Sequence, residues 1–364
     1  MATIASGRLS TGCLSRGSSA ISDSAKSRPA IFGIKSGFKD AGFRAVATVE
    51  IDPEAAKTCK LNHPLTRILV DDIRNVEPFD LLADTPFRNS SVDVLSACPP
   101  CQGFSTLTTK NGRKQISDPR NELVGEIVRF VKDLNPMIIL IENVPPLLKS
   151  TDYAKVVERL STRGYKCRDA VLNAVNFGLP QRRRRAISIC SRVSDPSLPT
   201  GKPVVRKSVA DAIRNSPPPR KQLWLHTVQR RTSELARKRI AAIPLDGGGR
   251  EDLPEELQLF CHKRVNGFHD VYGRMSWDAP SPTLTRFFMN PSKGRFLHPE
   301  LNRTISPFEA LILQGFPNDY SFDREIPISK IVSMIGEAFP PSWAKEIALS
   351  IKDYLVSKGE KKHS

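Results

Sequence analysis

Val92-Asp93-Val94-Leu95-Ser96-Ala97-Cys98-Pro99-Pro100-Cys101-Gln102-Gly103-Phe104-Ser105 is the stretch on which the reading of this chain turns. Its first half is an apolar run that reads as a strand. Its second half is a loop, stiffened by two prolines, that presents one cysteine. Proline fixes φ and reduces the freedom of the thiol that comes after it. The thiolate form of a cysteine is a nucleophile. Cys98-Pro99-Pro100-Cys101 also has the spacing of a redox pair, but such a pair is expected to open a helix, and Gly103 makes a poor helix start. Cys98 is therefore expected to be a buried structural thiol and Cys101 the reactive one.

Strands and helices alternate on both sides of this loop. Ala45 to Glu50 reads as a short strand ending in a carboxylate, followed by Ile51-Asp52-Pro53 and a helix over 54–61. Arg67 to Val70 reads as another strand, ending at Asp71-Asp72. Residues 121–134 carry apolar side chains at 123, 124, 127, 128, 130 and 131, the spacing of a helix with one buried face. Residues 137–141 read as a buried strand ending in Glu142-Asn143. This alternation predicts a parallel α/β sheet. Acids at the carboxyl ends of such strands stand where open sheets bind ligands.

The 364 residues are 39% hydrophobic, enough for a full catalytic domain and a smaller one. The formal charge of +17 suits a polyanionic partner. Seven cysteines at irregular spacing make no disulfide framework, so a reducing compartment is the natural setting. No apolar stretch approaches a membrane span. The first thirty residues hold eight serines and a single acid, Asp23. That composition fits an organellar transit peptide, a plain disordered tail, or sequence foreign to the fold. After about residue 190 the pattern changes. Residues 201–240 carry eleven Lys or Arg against only Asp211 and Glu234.

The string Pro99-Pro100-Cys101-Gln102-Gly103-Phe104-Ser105 resembles the nucleophile loop of the DNA (cytosine-5) methyltransferases. Further strings occur in the family's order. They are Glu142-Asn143-Val144, Gln181 to Arg185, Tyr272-Gly273-Arg274-Met275 through Pro282-Thr283-Leu284-Thr285 and Gly294-Arg295-Phe296, Leu313 to Pro317, and Gly336-Glu337-Ala338-Phe339-Pro340. The resemblance covers roughly residues 37–356 and implies methyl transfer from S-adenosylmethionine to C5 of cytosine in duplex DNA. A transfer-RNA cytosine methyltransferase of the same superfamily and a catalytically dead DNA-binding homologue are the alternatives.

The chemistry accounts for the residue types. C5 of cytosine is a poor nucleophile, and addition of a Cys101 thiolate to C6 turns it into an enamine-like carbon. Glu142 would hold the N3 and N4 edge of the base; a carboxyl buried at a strand end is favoured in its protonated form, which suits an acid role. By family position Arg185 would sit at O2, supported by Arg183. Glu50 would accept the cofactor's ribose hydroxyls, with Ile51 beside it, and Asp72 would accept from the adenine amine with Ile73 against the ring. Pro99, Leu123 and Glu337 match further cofactor positions, Glu337 replacing the family's Asn. Gln102, Ser105, Arg230, Arg231, Arg274, Thr283 and Thr285 are expected on the DNA side, with Trp224 and His226 as further candidates. No metal is implied.

The family's first element is a strand followed by Phe-x-Gly-x-Gly-Gly. Counting back from Gly37-Phe38 places it at about 28–33, where the chain reads Arg28-Pro29-Ala30-Ile31-Phe32-Gly33 and only Gly33 fits. Either Ala30-Ile31-Phe32 is a stunted first strand, or residues 1–36 are foreign to the fold. Both readings weaken cofactor binding. The expected architecture is a Rossmann-like α/β methyltransferase domain with a small basic target-recognition domain. The boundaries are an atypical or disordered segment 1–28, a catalytic domain 29–190, a recognition domain 191–278, and a segment 279–364 returning to the catalytic domain. The chain is expected to act as a monomer, away from membranes, in the cytoplasm if bacterial.

DNA affinity should then fall steeply with salt. With about six phosphates neutralised, the log–log slope of the binding constant is roughly −5. Replacing arginines among Arg230, Arg231, Arg237 and Arg239 should flatten it. A slope near zero in equilibrium titrations would remove the electrostatic case for a nucleic-acid partner.

Overall fold

The fold is given by a computed structural model that describes residues 2–6, 31–88, 91–100, 121–201, 205–215, 223–259 and 269–360. It divides into two compact units. The first comprises Met1–Leu172, Arg184–Thr200 and Pro341–Ser364; the second comprises Asn173–Arg183 and Gly201–Pro340.

The first unit is built on a seven-stranded sheet. Its strands are β1 (Ala2–Ser6), β2 (Arg44–Val49), β3 (Arg67–Leu69), β4 (Val94–Ala97), β5 (Ile138–Asn143), β6 (Lys166–Asn173) and β7 (Arg184–Ser191), in the order β3-β2-β1-β4-β5-β7-β6. β2 pairs parallel with β3, and β4 with β5, whereas β7 runs antiparallel to β5. β4 and β5 are buried along their whole length, which explains their near-continuous apolar sequence. Helix α1 (Ile31–Asp40) leads into β2, and α2 (Pro53–Asn62) comes after it. α2 starts where Asp52 accepts the backbone N–H groups of Glu54 and Ala55, with Pro53 in the first turn. α3 (Glu126–Leu134) lays Ile127, Phe130, Val131 and Leu134 into the core and stops at Asn135, which takes a left-handed conformation (φ 42°). α4 (Thr151–Ser161) buries Tyr153, Val156 and Leu160.

The first strand departs from the sequence reading. Ala30-Ile31-Phe32 is not a strand, because Ile31 opens α1, and Phe32, Ile34 and Phe38 are core residues. The slot between β2 and β4 is filled by Ala2–Ser6, running antiparallel to both, with Thr3 opposite Thr48 and Ser96. The segment 1–28 is thus not wholly outside the fold. Backbone groups facing that slot need partners wherever they come from, and a short run of small and β-branched residues supplies them.

The cysteines also differ. Cys167 on β6 and Cys190 on β7 form a disulfide, with Cα atoms 4.0 Å apart. Strand neighbourhood brings them together, and spacing along the chain does not reveal it. The C-terminal helix (Pro341–Glu360) packs on α1, and Lys352 donates to the carbonyl of Ala41.

The second unit has little regular structure, and buried arginines hold it. Its longer helices are α5 (Glu234–Ala242), α6 (Pro307–Leu313) and α7 (Ile328–Glu337). Arg274 is fully buried and donates to the carbonyls of Ile243, Ile240, His298 and Leu301 at 2.8–3.2 Å. His298 Nδ1 accepts the backbone N–H groups of Glu300 and Leu301, and burial pushes its pKa down to about 4, so the ring is held neutral. Arg183 donates to the carbonyls of Leu284 at 2.9 Å, Gly336 at 3.3 Å and Ala338 at 3.0 Å. Gln181 bonds the Leu313 carbonyl and the side chain of Gln314, which in turn donates to the Ile335 carbonyl. These links place residues 173–183 and 279–340 in the second unit, whereas the sequence reading assigned both to the catalytic domain.

Two substitutions test this packing by thermal denaturation. A Cβ on Gly37 would lie 2.4 Å from the Pro341 carbonyl oxygen and 2.5 Å from Ala344 Cβ. Gly37→Ala should therefore cost about 1–3 kcal/mol by overpacking α1 against the C-terminal helix. Arg183→Met should destabilise the chain by several kcal/mol, since each orphaned buried carbonyl costs about 1–3 kcal/mol. A variant at 183 with wild-type melting and lost turnover would instead make Arg183 a catalytic group.

Candidate active site

β1 opposes both β2 and β4, so β2, β3, β4 and β5 share one direction and their carboxyl ends lie along one edge of the sheet. That edge carries the groups with chemistry. Glu50, just past β2, is 1% exposed, and its Oε1 accepts the Asp52 N–H at 3.0 Å. Beneath it, the buried ammonium of Lys35 donates to the thiol of Cys59. Asp72, past β3, caps the short turn Ile73–Asn75, and Arg74 grips its carboxylate through Nε at 3.0 Å. That hydrogen bond holds the Asp72 carboxyl below its ordinary value.

Ile73, Leu95, Ala97, Pro99, Leu123, Ile127 and Phe130, with Glu126, line a small, mostly apolar hollow that opens to solvent. Three of these residues, Ile73, Pro99 and Leu123, are ones the sequence reading singles out, and the structure brings them to one wall. It adds Leu95, Ala97, Ile127 and Phe130. The signal for the added residues was present in the β4 run and in the apolar face of α3, but both read equally well as plain core. Arg129 shapes the rim. It pairs with Glu126 at 2.7 Å and donates to the carbonyls of Val76 and Ile73.

The chemistry of this wall and of the two acids suits the adenine and ribose of S-adenosylmethionine. The wall is largely apolar, and each acid accepts hydrogen bonds. The glycine-loop half of the site is not built as the family builds it. Gly33 lies inside α1 rather than in a loop, because the apolar run Ile31–Phe38 folds as a helix against the core.

Glu142 ends β5 and Arg185 lies near the start of β7, two strands joined by antiparallel pairing. Arg185 Nε meets Glu142 Oε1 at 3.0 Å, and both side chains are largely buried. Cys98 is buried beside them. Burial pushes its thiol well above the ordinary value, and the Glu142 carboxylate, which it hydrogen-bonds, adds to that push. Such a thiol is inert, as expected for a structural cysteine. Asn143 Nδ2 donates to the Pro99 carbonyl at 3.0 Å and ties the entry of the proline loop to β5. Cys101, Gln102 and Ser105 lie outside the described residues.

Three expectations need correction in the second unit. Arg183 is a backbone clamp and not a partner of Arg185, since it donates to the Leu284, Gly336 and Ala338 carbonyls. Arg274 is buried at 0% exposure and cannot reach DNA. Arg239 is also buried and donates to the Leu257 carbonyl at 2.7 Å, so it drops out of the salt-sensitive set. Thr283 donates its hydroxyl to the Arg182 carbonyl at 2.6 Å. Arg230, Arg231 and Thr285 are exposed, as DNA contacts must be. Glu337 accepts from the Ser333 hydroxyl at 3.2 Å and lies 3.8 Å from Arg286. Among the described residues, no His, Cys, Asp or Glu cluster could hold a metal ion, and no helix is long and apolar enough to cross a membrane.

Comparison with known proteins agrees with this geometry. The sequence profile of C-5 cytosine-specific DNA methylases matches residues 30–353. The type II methylase M.HgiDII of Herpetosiphon aurantiacus is 31% identical over 337 residues, covering 89% of this chain and 93% of that protein. The type II methyltransferase M1.HphI of Haemophilus parahaemolyticus is 31% identical over 88% of this chain and 83% of its own length. The solved structure of Entamoeba histolytica methyltransferase EhMeth shares the fold, with a TM-score of 0.61 at 15% identity over 90% of this chain and 96% of that one. With an acid–arginine pair at one strand end and an apolar hollow beside the others, the chain belongs to the C-5 cytosine-specific DNA methylase family and is a DNA (cytosine-5) methyltransferase.

Proposed function

We propose that this chain methylates C5 of cytosine within a specific duplex DNA sequence, on a base flipped out of the stack, through a covalent adduct between Cys101 and C6. The observation that carries the reading is the Arg185–Glu142 pair at 3.0 Å, set beside the entry to the proline loop. A cytosine offers the complementary edge: N3 and the N4 amine can meet a carboxyl while O2 accepts from a guanidinium. Fixing both at strand ends pre-organises the pair, so little reorganisation is needed when charge develops on the ring.

The Cys101 thiolate would add to C6 and push electron density to C5. Glu142 would accept from the N4 amine and, after taking up a proton from solvent, pass it to N3 as the adduct forms. Arg185 would hold O2. After transfer, loss of the C5 proton and elimination of the thiolate restore the aromatic ring. S-adenosylmethionine, held by Glu50, Asp72, Ile73, Pro99 and Leu123, would supply an electrophilic methyl group on sulfonium. Extruding the base costs a few kcal/mol, which DNA contacts must offset. The exposed arginines Arg230 and Arg231 are suited to phosphates.

Transfer of labelled methyl groups to duplex DNA and to transfer RNA tests the reading. Label should enter 5-methylcytosine in the duplex; label confined to transfer RNA would replace this reading with the RNA one. Cys101→Ser should abolish turnover and leave DNA binding largely intact, while Cys98→Ser retains activity. Equal loss in both variants would favour a redox pair and refute the adduct.

A further inference from the structure

The turn that carries Asp72 and Ile73 is held from outside itself. It is short, Ile73–Asn75, and its own closing bond, from the Val76 N–H to the Ile73 carbonyl, is long at 3.4 Å. One side chain from a distant part of the chain grips both ends of it. Arg129 Nη2 donates to the Ile73 carbonyl at 2.5 Å, and Arg129 Nη1 donates to the Val76 carbonyl at 2.8 Å. The guanidinium is itself aimed. Its Nε donates to Glu126, one helical turn earlier on α3, at 2.7 Å, and its central carbon lies 4.9 Å from the centroid of the Phe130 ring. A planar fork fixed in this way can span two carbonyls, where an ammonium acts as a single point.

The two elements that Arg129 joins both line the apolar hollow. Ile127 and Phe130 reach it from α3, Ile73 reaches it from the turn, and Glu126 stands among them. The spacing between Ile73 and the face of α3 is therefore set by the two hydrogen bonds of Arg129. Asp72 comes just before Ile73 and caps the same turn by accepting the Arg74 N–H at 3.0 Å. Its carboxylate is carried by whatever fixes the turn. All of these residues belong to the first unit.

We infer that Arg129 is a positioning residue for the adenine ring of the cofactor: it latches the turn to α3, so that the Asp72 carboxylate and the Ile73 wall are in register before the ring arrives. The inference rests on the reading of this hollow as the S-adenosylmethionine site and adds to it a residue that acts through the turn. Pre-organisation of this kind raises affinity, because the turn need not be ordered on binding. It also raises selectivity. A carboxylate held in place favours a purine with an amine on that edge and disfavours one with a carbonyl oxygen there, which would leave two acceptors facing each other.

Calorimetric binding of two probes to the full chain tests this. The probes are S-adenosylhomocysteine and its deaminated analogue S-inosylhomocysteine, which carries an oxygen in place of the amine. The unaltered chain should prefer the first by about ten-fold, the worth of one hydrogen bond to a charged acceptor. Arg129→Met should weaken S-adenosylhomocysteine by about ten-fold and the analogue by less, so that the preference falls to about two-fold. Arg129→Lys keeps the charge and the stem but cannot span both carbonyls, and its preference should fall likewise. It is the variant to read if Arg129→Met melts below the assay temperature. An undiminished preference in Arg129→Lys, whatever its affinity, would make Arg129 a structural tie alone and overturn the inference. Absence of S-adenosylhomocysteine binding, or of any preference for it, in the unaltered chain would overturn the cofactor reading itself, and this inference with it.

Discussion

The carboxyl ends of β2, β3, β4 and β5 share one edge only because something pairs with the facing sides of β2 and β4. Buried N–H and C=O groups left unpaired there would cost about 1–3 kcal/mol each, and the sheet would split between its two parallel pairs. Ala2–Ser6 closes the gap in antiparallel register. Direction does not matter to the hydrogen bonds, which are at least as good in antiparallel pairing. Direction does decide where the strand's carboxyl end is delivered. A parallel strand would bring that end, and any loop after it, to the edge where Glu50, Asp72 and Glu142 stand. β1 delivers its carboxyl end, Ser6, to the opposite edge, beside Arg44. The same strand that completes the sheet therefore cannot carry a glycine loop to the cofactor side.

That separation divides the cofactor site into a part that survives and a part that changes. The hollow between the ends of β3 and β4 and the face of α3 depends only on strands and helices with strong apolar patterns. It was legible from the alternation of strands and helices and from the acids that end them. Gly33 was legible only as a residue that ought to be in a loop. The periodic apolar run around it, Ile31 to Phe38, favours a helix, and the core stabilises that choice by burying Phe32, Ile34 and Phe38.

Arginine shows why the rest was harder to read. On a chain of +17 charge each arginine suggests phosphate, yet Arg183, Arg239 and Arg274 face inward. The second unit explains this. With few regular elements, it leaves many carbonyls without ladder partners, and a planar guanidinium with five donors can satisfy several at once. Arg274 bonds four carbonyls and Arg183 three. Residue type and spacing are the same for an inward and an outward arginine; only the paths of the loops around it distinguish them. The grouping of residues 173–183 with the second unit was hidden for the same reason, since Gln181 and Arg183 bind segments more than a hundred residues away.

Glu142 and Arg185 stand between these extremes. The sequence marked both by family position, but the strand pairing explains why they meet. Because β7 runs antiparallel to β5, the first residues of β7 lie beside the last residues of β5. An arginine at the start of one strand then faces an acid at the end of the other. Burial makes the pair expensive to separate, since either charge alone would be poorly solvated. Cys98 adds a third group on the same spot, its thiol kept protonated by burial and by the carboxylate. A protonated thiol next to the acid is a poor nucleophile, so burial gives Cys98 a structural role.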